Sequence, residues 1–288
     1  MKDPAMRRRF QQVDVFSPVP FLGNPLAVVL DAEDLTTEQM QQFSRWTNLS
    51  ETTFLLPPTT DEADYRVRIF TLARELPFAG HPTLGSCHAW LAAGGVPRDA
   101  GRIVQECGAG LVPVRRGDRG LAFAAPPLLR TGPVDEGMMD QLASVLGIGR
   151  GDIVDAQWAD NGPGWVAVLL KDAAAVLAVE PDFSRWSGEG SLDIGIVGAH
   201  PPLAECAWEV RAVFSDEQGG MREDPVTGSL NASLAQWLLA SGRATAPYLA
   251  SQGTRLGRRG RPWIEQDADG TVWVGGPAIT CIQGEVDL

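Results

Sequence analysis

Short apolar runs broken by glycine and proline set the rhythm of this chain, and helix-periodic stretches follow several of them. Residues 13–16 read as a strand, "GNP" at 23–25 as a turn, and residues 26–30 as a second strand. A helix is predicted next. Thr36 or Thr37 can cap its start, and Met40, Phe43 and Trp46 recur three apart, a spacing that places them along one buried side. That helix must stop near "TNLS" at 47–50, which leaves Glu51 at a helix-to-strand junction ahead of the apolar run 54–56.

Two later segments share one plan. "RVRIF" at 66–70 leads to "ELPFAGHPTLGSCHAWLAAGG" at 75–95, and "EVRAVF" at 209–214 leads to "EDPVTGSLNASLAQWLLASG" at 223–242. Glu75, Pro77 and Gly80 recur as Glu223, Pro225 and Gly228, each 148 positions on, and "LAAG" at 91–94 falls on "LASG" at 239–242 with the same offset. The strands ahead of them match at 144, so two equivalent units with different loop lengths are expected. In the first helix Leu84, Cys87 or His88, and Leu91 form an apolar stripe; in the second, Leu230, Leu234, Trp237 or Leu238, and Ser241 do so. Pro82 suits a first helical turn, where its missing N–H is not required.

Gly80 and Gly228 allow a ligand close to the backbone, and each helix start offers unpaired N–H groups with a favourable dipole. Two such starts facing one another would receive a small carboxylate without a metal or a basic groove; ordinary helix capping is the alternative. The glycine segments lack both the dinucleotide pattern GxGxxG and the phosphate loop GxxxxGK[ST], so no nucleotide cofactor is expected, and no GxSxG elbow points to a hydrolase.

Composition narrows the picture. The chain has 288 residues, 44% of them hydrophobic, enough for a large core in two compact units or one elongated one. Its net charge of -12 argues against a nucleic-acid surface. The arginines of "RLGRRGR" at 255–261 are interrupted by glycines and read as a solvated or ion-paired turn rather than a phosphate site. Cys87, Cys107, Cys206 and Cys281 show no CxxC spacing, and His81 and His88, if helical, stand ~10 Å apart along the axis, so no metal site is expected. The longest apolar run, 173–179, is too short to cross a membrane, and a cytoplasmic protein is the expectation.

Taken together, "GNPLAVVL" at 23–30, "NLSETTF" at 48–54, "ELPFAGHPTLG" at 75–85, "GAGLVPV" at 108–114, "EDPVTGS" at 223–229 and "QGTRLGRRG" at 252–260 with "VGG" after it resemble the PhzF-like isomerases of phenazine biosynthesis. "FTLARELPF" departs from that family, which commonly has proline after "FT". The resemblance implies an α+β, diaminopimelate-epimerase-like fold: two similar domains, each a curved mixed sheet or barrel around a central helix, with an active cleft between them. The expected division is 1–120 and 121–288, with the destination of the terminal strand left open.

The resemblance also implies a cofactor-independent isomerase. Glu51 would move a proton between carbons of a small cyclic amino-carboxylate; His81 and Asp224 would bind, orient or polarise it; Ser229 and the Gly80 and Gly228 amides would hold its carboxylate. The family's best-known substrate is trans-2,3-dihydro-3-hydroxyanthranilate, and homodimers occur in the family. His81 could instead serve a helix-start hydrogen bond, and Asp224 or Ser229 a helix cap. An epimerase or lyase on another small amino or hydroxy acid, or a metabolite-binding protein without turnover, are the competing functions. A two-thiol racemase is disfavoured, because "FAGHP" and "PVTGS" carry no cysteine.

Overall fold

The computed structural model describes residues 6–215 and 220–288. Contacts divide the chain into two units: one runs through Ala124 and takes back Gly275–Leu288, and the other is Ala125–Val274.

The first unit contains β1 (Arg7–Val15), β2 (Asn24–Val29), α1 (Thr37–Thr47), β3 (Glu51–Leu56), β4 (Tyr65–Phe70), β5 (Glu75–Leu76), α2 (Gly80–Ala92), β6 (Arg102–Cys107), β7 (Gly110–Gly117) and β8 (Gly120–Ala124). The terminal strand Ala278–Asp287 pairs antiparallel with β1, which pairs with β2; β2 and β3 run parallel, and β3 is antiparallel to β4. Strand β4 takes β5 antiparallel at one end and β6 parallel at the other, and β7 and β8 continue antiparallel from β6. Helix α2 packs against strands from the whole breadth of this mixed sheet, including β1, β3, β6, β8 and the terminal strand, so the sheet curves around it.

That enclosure corrects the expected stripe on α2. Gly80 through Cys87 and Ala89 are all buried, so polar and apolar positions alike lie inside, while Leu91 is half-buried. Small residues permit the fit: a Cβ on Gly85 would lie 2.5 Å from Leu26 and 3.0 Å from Val15. The buried hydroxyls are bonded, Ser86 donating to Thr53 Oγ1 at 2.9 Å and Thr83 to the Ala79 carbonyl at 2.9 Å. Burial pushes the Cys87 thiol up to about 12, which keeps it protonated and unreactive.

Thr36 caps α1 in a capping box with Gln39. Met40 and Phe43 are buried as expected, but Trp46 is exposed and stacks on Phe43. Spacing of three drifts around a helix, and the six residues from Met40 carry Trp46 about 120° off the buried face. Asn48 then turns the chain in the left-handed region, with φ 56°, and delivers Glu51 to the head of β3.

The second unit contains β9 (Arg130–Pro133), α3 (Glu136–Leu146), β10 (Ile153–Asp160), β11 (Trp165–Leu170), α4 (Ala173–Ala178), β12 (Asp193–Ala199), β13 (Trp208–Ser215), β14 (Met221–Asp224), α5 (Gly228–Ala240), β15 (Tyr248–Gln252) and β16 (Trp263–Gln266). Its sheet runs β9, β10, β11, β12, β13, with β11 and β12 parallel and the other neighbours antiparallel. Beyond β13, the antiparallel β14 covers one end and the parallel β15 the other. This is the arrangement of β4, β5 and β6 around α2, so the sequence repeat corresponds to a repeated strand, short return, helix and parallel strand.

Strand β11 is buried on both faces. Trp165, Ala167 and Leu169 meet Leu230, Leu234 and Trp237 of α5, whereas Val166 and Val168 meet Leu142, Leu146 and Val176 from α3 and α4. Like α2, α5 is buried beyond a single stripe, from Gly228 through Ala235 and again at Trp237 and Leu238. The fold class is thus α+β, with curved mixed sheets and central helices.

Candidate active site

In the first unit, the expected site residues meet at the mouth of α2. Glu51 heads β3, and His81 is the second residue of α2, whose N-cap Ala79 offers no side chain to the free N–H groups. His81 Nε2 lies 3.3 Å from Glu51 Oε2, with the two side chains 4% and 16% exposed. On the other side of the ring, Asn24 Nδ2 is 3.2 Å from Nδ1. Burial pushes the His81 imidazole down to about 3. The adjoining carboxylate pulls in the opposite direction, but burial outweighs it and the ring is neutral at neutral pH.

Asn24 holds its place through the turn before it. The Gly23 N–H donates to Asp14 Oδ2 at 2.9 Å, and a Cβ on Gly23 would lie 2.2 Å from the Val15 carbonyl oxygen. The turn signal "GNP" therefore brings an amide side chain to the imidazole as well as reversing the chain.

In the second unit, Asp224 ends β14 and α5 begins at Gly228, its N-cap Thr227 making no side-chain cap bond. The Thr227 hydroxyl instead donates to Asp224 Oδ2 at 2.6 Å and accepts from Gln252 Nε2 at 3.0 Å. Gln252, fully buried, is fixed in turn: its Oε1 accepts from the Thr227 N–H at 3.0 Å and from Asn231 Nδ2 at 2.8 Å. Ser229 Oγ accepts from Trp165 Nε1 at 3.2 Å, which leaves the hydroxyl proton to be given to another group. Asn161 Nδ2 donates to the Ser229 carbonyl at 2.8 Å, while its buried Oδ1 has no partner among the described residues.

Each acid-x-Pro-x-x-Gly turn is backed by a glycine segment. Gly108 lies against Pro77, where a Cβ would be 2.8 Å from the Pro77 Cα, and the Ala109 N–H donates to the Pro77 carbonyl at 3.0 Å. Gly253, with φ +88°, and Gly260 press in the same way on Pro225 and Val226. Three of the arginines of that loop are ion-paired, Arg255 with Glu180, and Arg259 and Arg261 with Glu205. The leading acids of the repeat are structural: Glu75 makes a two-pronged bond with Arg68, and Glu223 with Arg211.

Sequence reasoning did not single out Asn24, Thr227, Gln252, Asn161 or Trp165. Asn24, Thr227 and Gln252 stand inside quoted motifs, and a polar residue within such a motif was the available signal; Asn161 and Trp165 lie where no local pattern marks them.

A family model described as phenazine biosynthesis-like protein matches residues 13–284. The chain belongs to this family. It is 34% identical over 271 residues to the trans-2,3-dihydro-3-hydroxyanthranilate isomerase of Pseudomonas aeruginosa, covering 91% of each chain. It is 36% identical over 296 residues to the antisense-enhancing sequence 1 protein of Schizosaccharomyces pombe, covering 96% of this chain and 97% of that one. Among solved structures, a predicted epimerase from Pseudomonas aeruginosa superposes with a TM-score of 0.76 at 27% identity, over 97% of this chain and 99% of the other. Membership makes this chain a cofactor-independent isomerase of the PhzF-like type. Among the described residues, no group of His, Cys, Asp and Glu is placed to hold a metal ion, and no helix is long and apolar enough to cross a membrane.

Proposed function

We propose that this protein isomerises trans-2,3-dihydro-3-hydroxyanthranilate or a close cyclic amino-carboxylate, with Glu51 as the proton shuttle. The observation that carries the reading is the contact of Glu51 with a buried, neutral His81 at 3.3 Å. Glu51 takes a proton from a substrate carbon next to a π system, and the electron pair of the broken C–H bond enters that system. The same carboxyl group then returns the proton to a second carbon as the double bonds shift, so the reaction needs no redox partner. Three relatives at 32–34% identity bear the name of that anthranilate isomerase and support the choice of substrate.

The remaining residues take binding roles. Asp224, oriented by Thr227, receives the amino group, and the unpartnered Asn161 Oδ1 is a further acceptor for an N–H. The Gly80 and Gly228 amides and the Ser229 hydroxyl, whose proton Trp165 leaves available, suit a carboxylate.

Glu51→Gln tests the assignment. It keeps size and reach but removes the proton acceptor, so isomerisation should fall by at least ~100-fold while calorimetry still detects substrate binding. A variant that turns over at nearly the unmodified rate refutes the shuttle. If the unmodified protein binds but converts no member of a panel of cyclic and acyclic amino and hydroxy acids, it is a metabolite-binding protein; conversion of another member alone names a different substrate.

A further inference from the structure

We propose that Asn24 is a positioning residue that fixes the tautomer of His81, so that an N–H and not a lone pair faces Glu51. The inference rests on the shuttle role of Glu51 proposed above and adds how that carboxylate is held. An amide nitrogen can only donate, so the Asn24 Nδ2 contact at 3.2 Å requires His81 Nδ1 to accept. A neutral imidazole that accepts at Nδ1 carries its proton on Nε2, and Nε2 is the atom 3.3 Å from Glu51 Oε2. Asn24 is fully buried and His81 nearly so, which leaves no solvent to reorient either group.

The consequence lies in the shuttle's resting state. A lone pair pointed at the carboxylate would repel its charge and favour a protonated Glu51, unable to start the reaction. An Nε2–H directed at the carboxylate, whose Oε2 is 3.3 Å away, favours the ionised form that can accept the substrate proton. His81 keeps its own proton throughout, and the Asn24 amide neither gains nor loses one near neutral pH. At 3.3 Å the two atoms are close but not aligned as a hydrogen bond, and alignment is expected on substrate binding. Placement of Asn24 depends on the buried turn before it, where Asp14 accepts from the Gly23 N–H.

Nitrogen-15 NMR of histidine-labelled protein, without ligand, reads the tautomer directly. The His81 signals are those retained in both His88→Gln and His200→Gln variants. The expected ring has a protonated Nε2 and an unprotonated Nδ1; a ring protonated at Nδ1 in the unmodified protein overturns the proposal. In Asn24→Asp, a carboxylate replaces the donor, so Nδ1 should acquire a proton and kcat for trans-2,3-dihydro-3-hydroxyanthranilate should fall by at least ~10-fold with KM changed less. A folded Asn24→Asp protein that keeps the original tautomer and full kcat also overturns it. The two proposals fail separately: an active Glu51→Gln removes the shuttle and leaves the tautomer standing, whereas an Nδ1–H ring removes the tautomer assignment and leaves the shuttle.

Discussion

The Thr227 hydroxyl links the scaffold to the candidate binding group, because its proton goes to Asp224 and its oxygen accepts from Gln252. Thr227→Val keeps the shape at this buried N-cap and deletes both bonds. A hydrogen bond to a charged group contributes roughly 1.5–3 kcal/mol, so if Asp224 receives the substrate amine, KM should rise by about 10-fold or more while kcat changes less. Thr227→Ser retains the hydroxyl and should restore KM to near the unmodified value. Equal losses of kcat and KM in the valine variant, or no recovery in the serine variant, would remove Asp224 from the binding role. Glu51, His81 and Asp224 stand out as candidates in the sequence because each lies in a motif of known type. Their supports do not. Asn24 reaches His81 across 57 residues and Gln252 reaches Thr227 across 25, contacts that only the folded chain creates.

Among elements, the short loops matter more than their charges suggest. Gly253 adopts φ +88°, and a Cβ there would sit 2.6 Å from the Pro225 carbonyl oxygen, against backbone that cannot yield. Gly253→Ala should therefore destabilise the fold by at least ~2 kcal/mol, the left-handed conformation alone costing ~1–2, and should displace the turn that leads into α5. Replacing Arg258 and Arg259 together by alanine should cost less than ~1 kcal/mol, since the Arg259–Glu205 pair is exposed. Urea denaturation compares the two; a double-arginine loss as large as the glycine loss would make the loop's charges part of the scaffold. The glycines' purpose was hidden in the sequence, where "QGTRLGRRG" draws attention to its arginines. Helix positions were legible from caps and periodicity, as at Thr36 and Met40, but their surroundings were not. Periodicity finds one buried face, and α2 and α5 are enclosed on several because the strands around them come from distant parts of the chain.

At the scale of the whole molecule, the repeat gives both units one frame and different chemistry. At the common offset of 148, His81 corresponds to Ser229, and Leu76 to Asp224, so the imidazole occurs in the first frame and the carboxylate in the second. Backbone equivalence thus keeps two helix starts while the side chains at those starts diverge, an imidazole in one and a hydroxyl in the other. The net charge of -12 would repel an anionic ligand, yet an amino-carboxylate is a zwitterion with no net charge and feels little long-range field. The recognition proposed above, by amides, a hydroxyl and one carboxylate, would act at contact distance, where salt screens weakly. Accordingly kcat/KM for trans-2,3-dihydro-3-hydroxyanthranilate should vary by less than roughly 2-fold between about 20 and 300 mM sodium chloride. A steep fall with salt would show that an arginine surface draws the substrate in, and the loop at 255–261 would then be the place to look, despite its ion pairs with Glu180 and Glu205. A steep rise would show a net anionic substrate repelled by the protein, and the amine-binding role of Asp224 would fall with it.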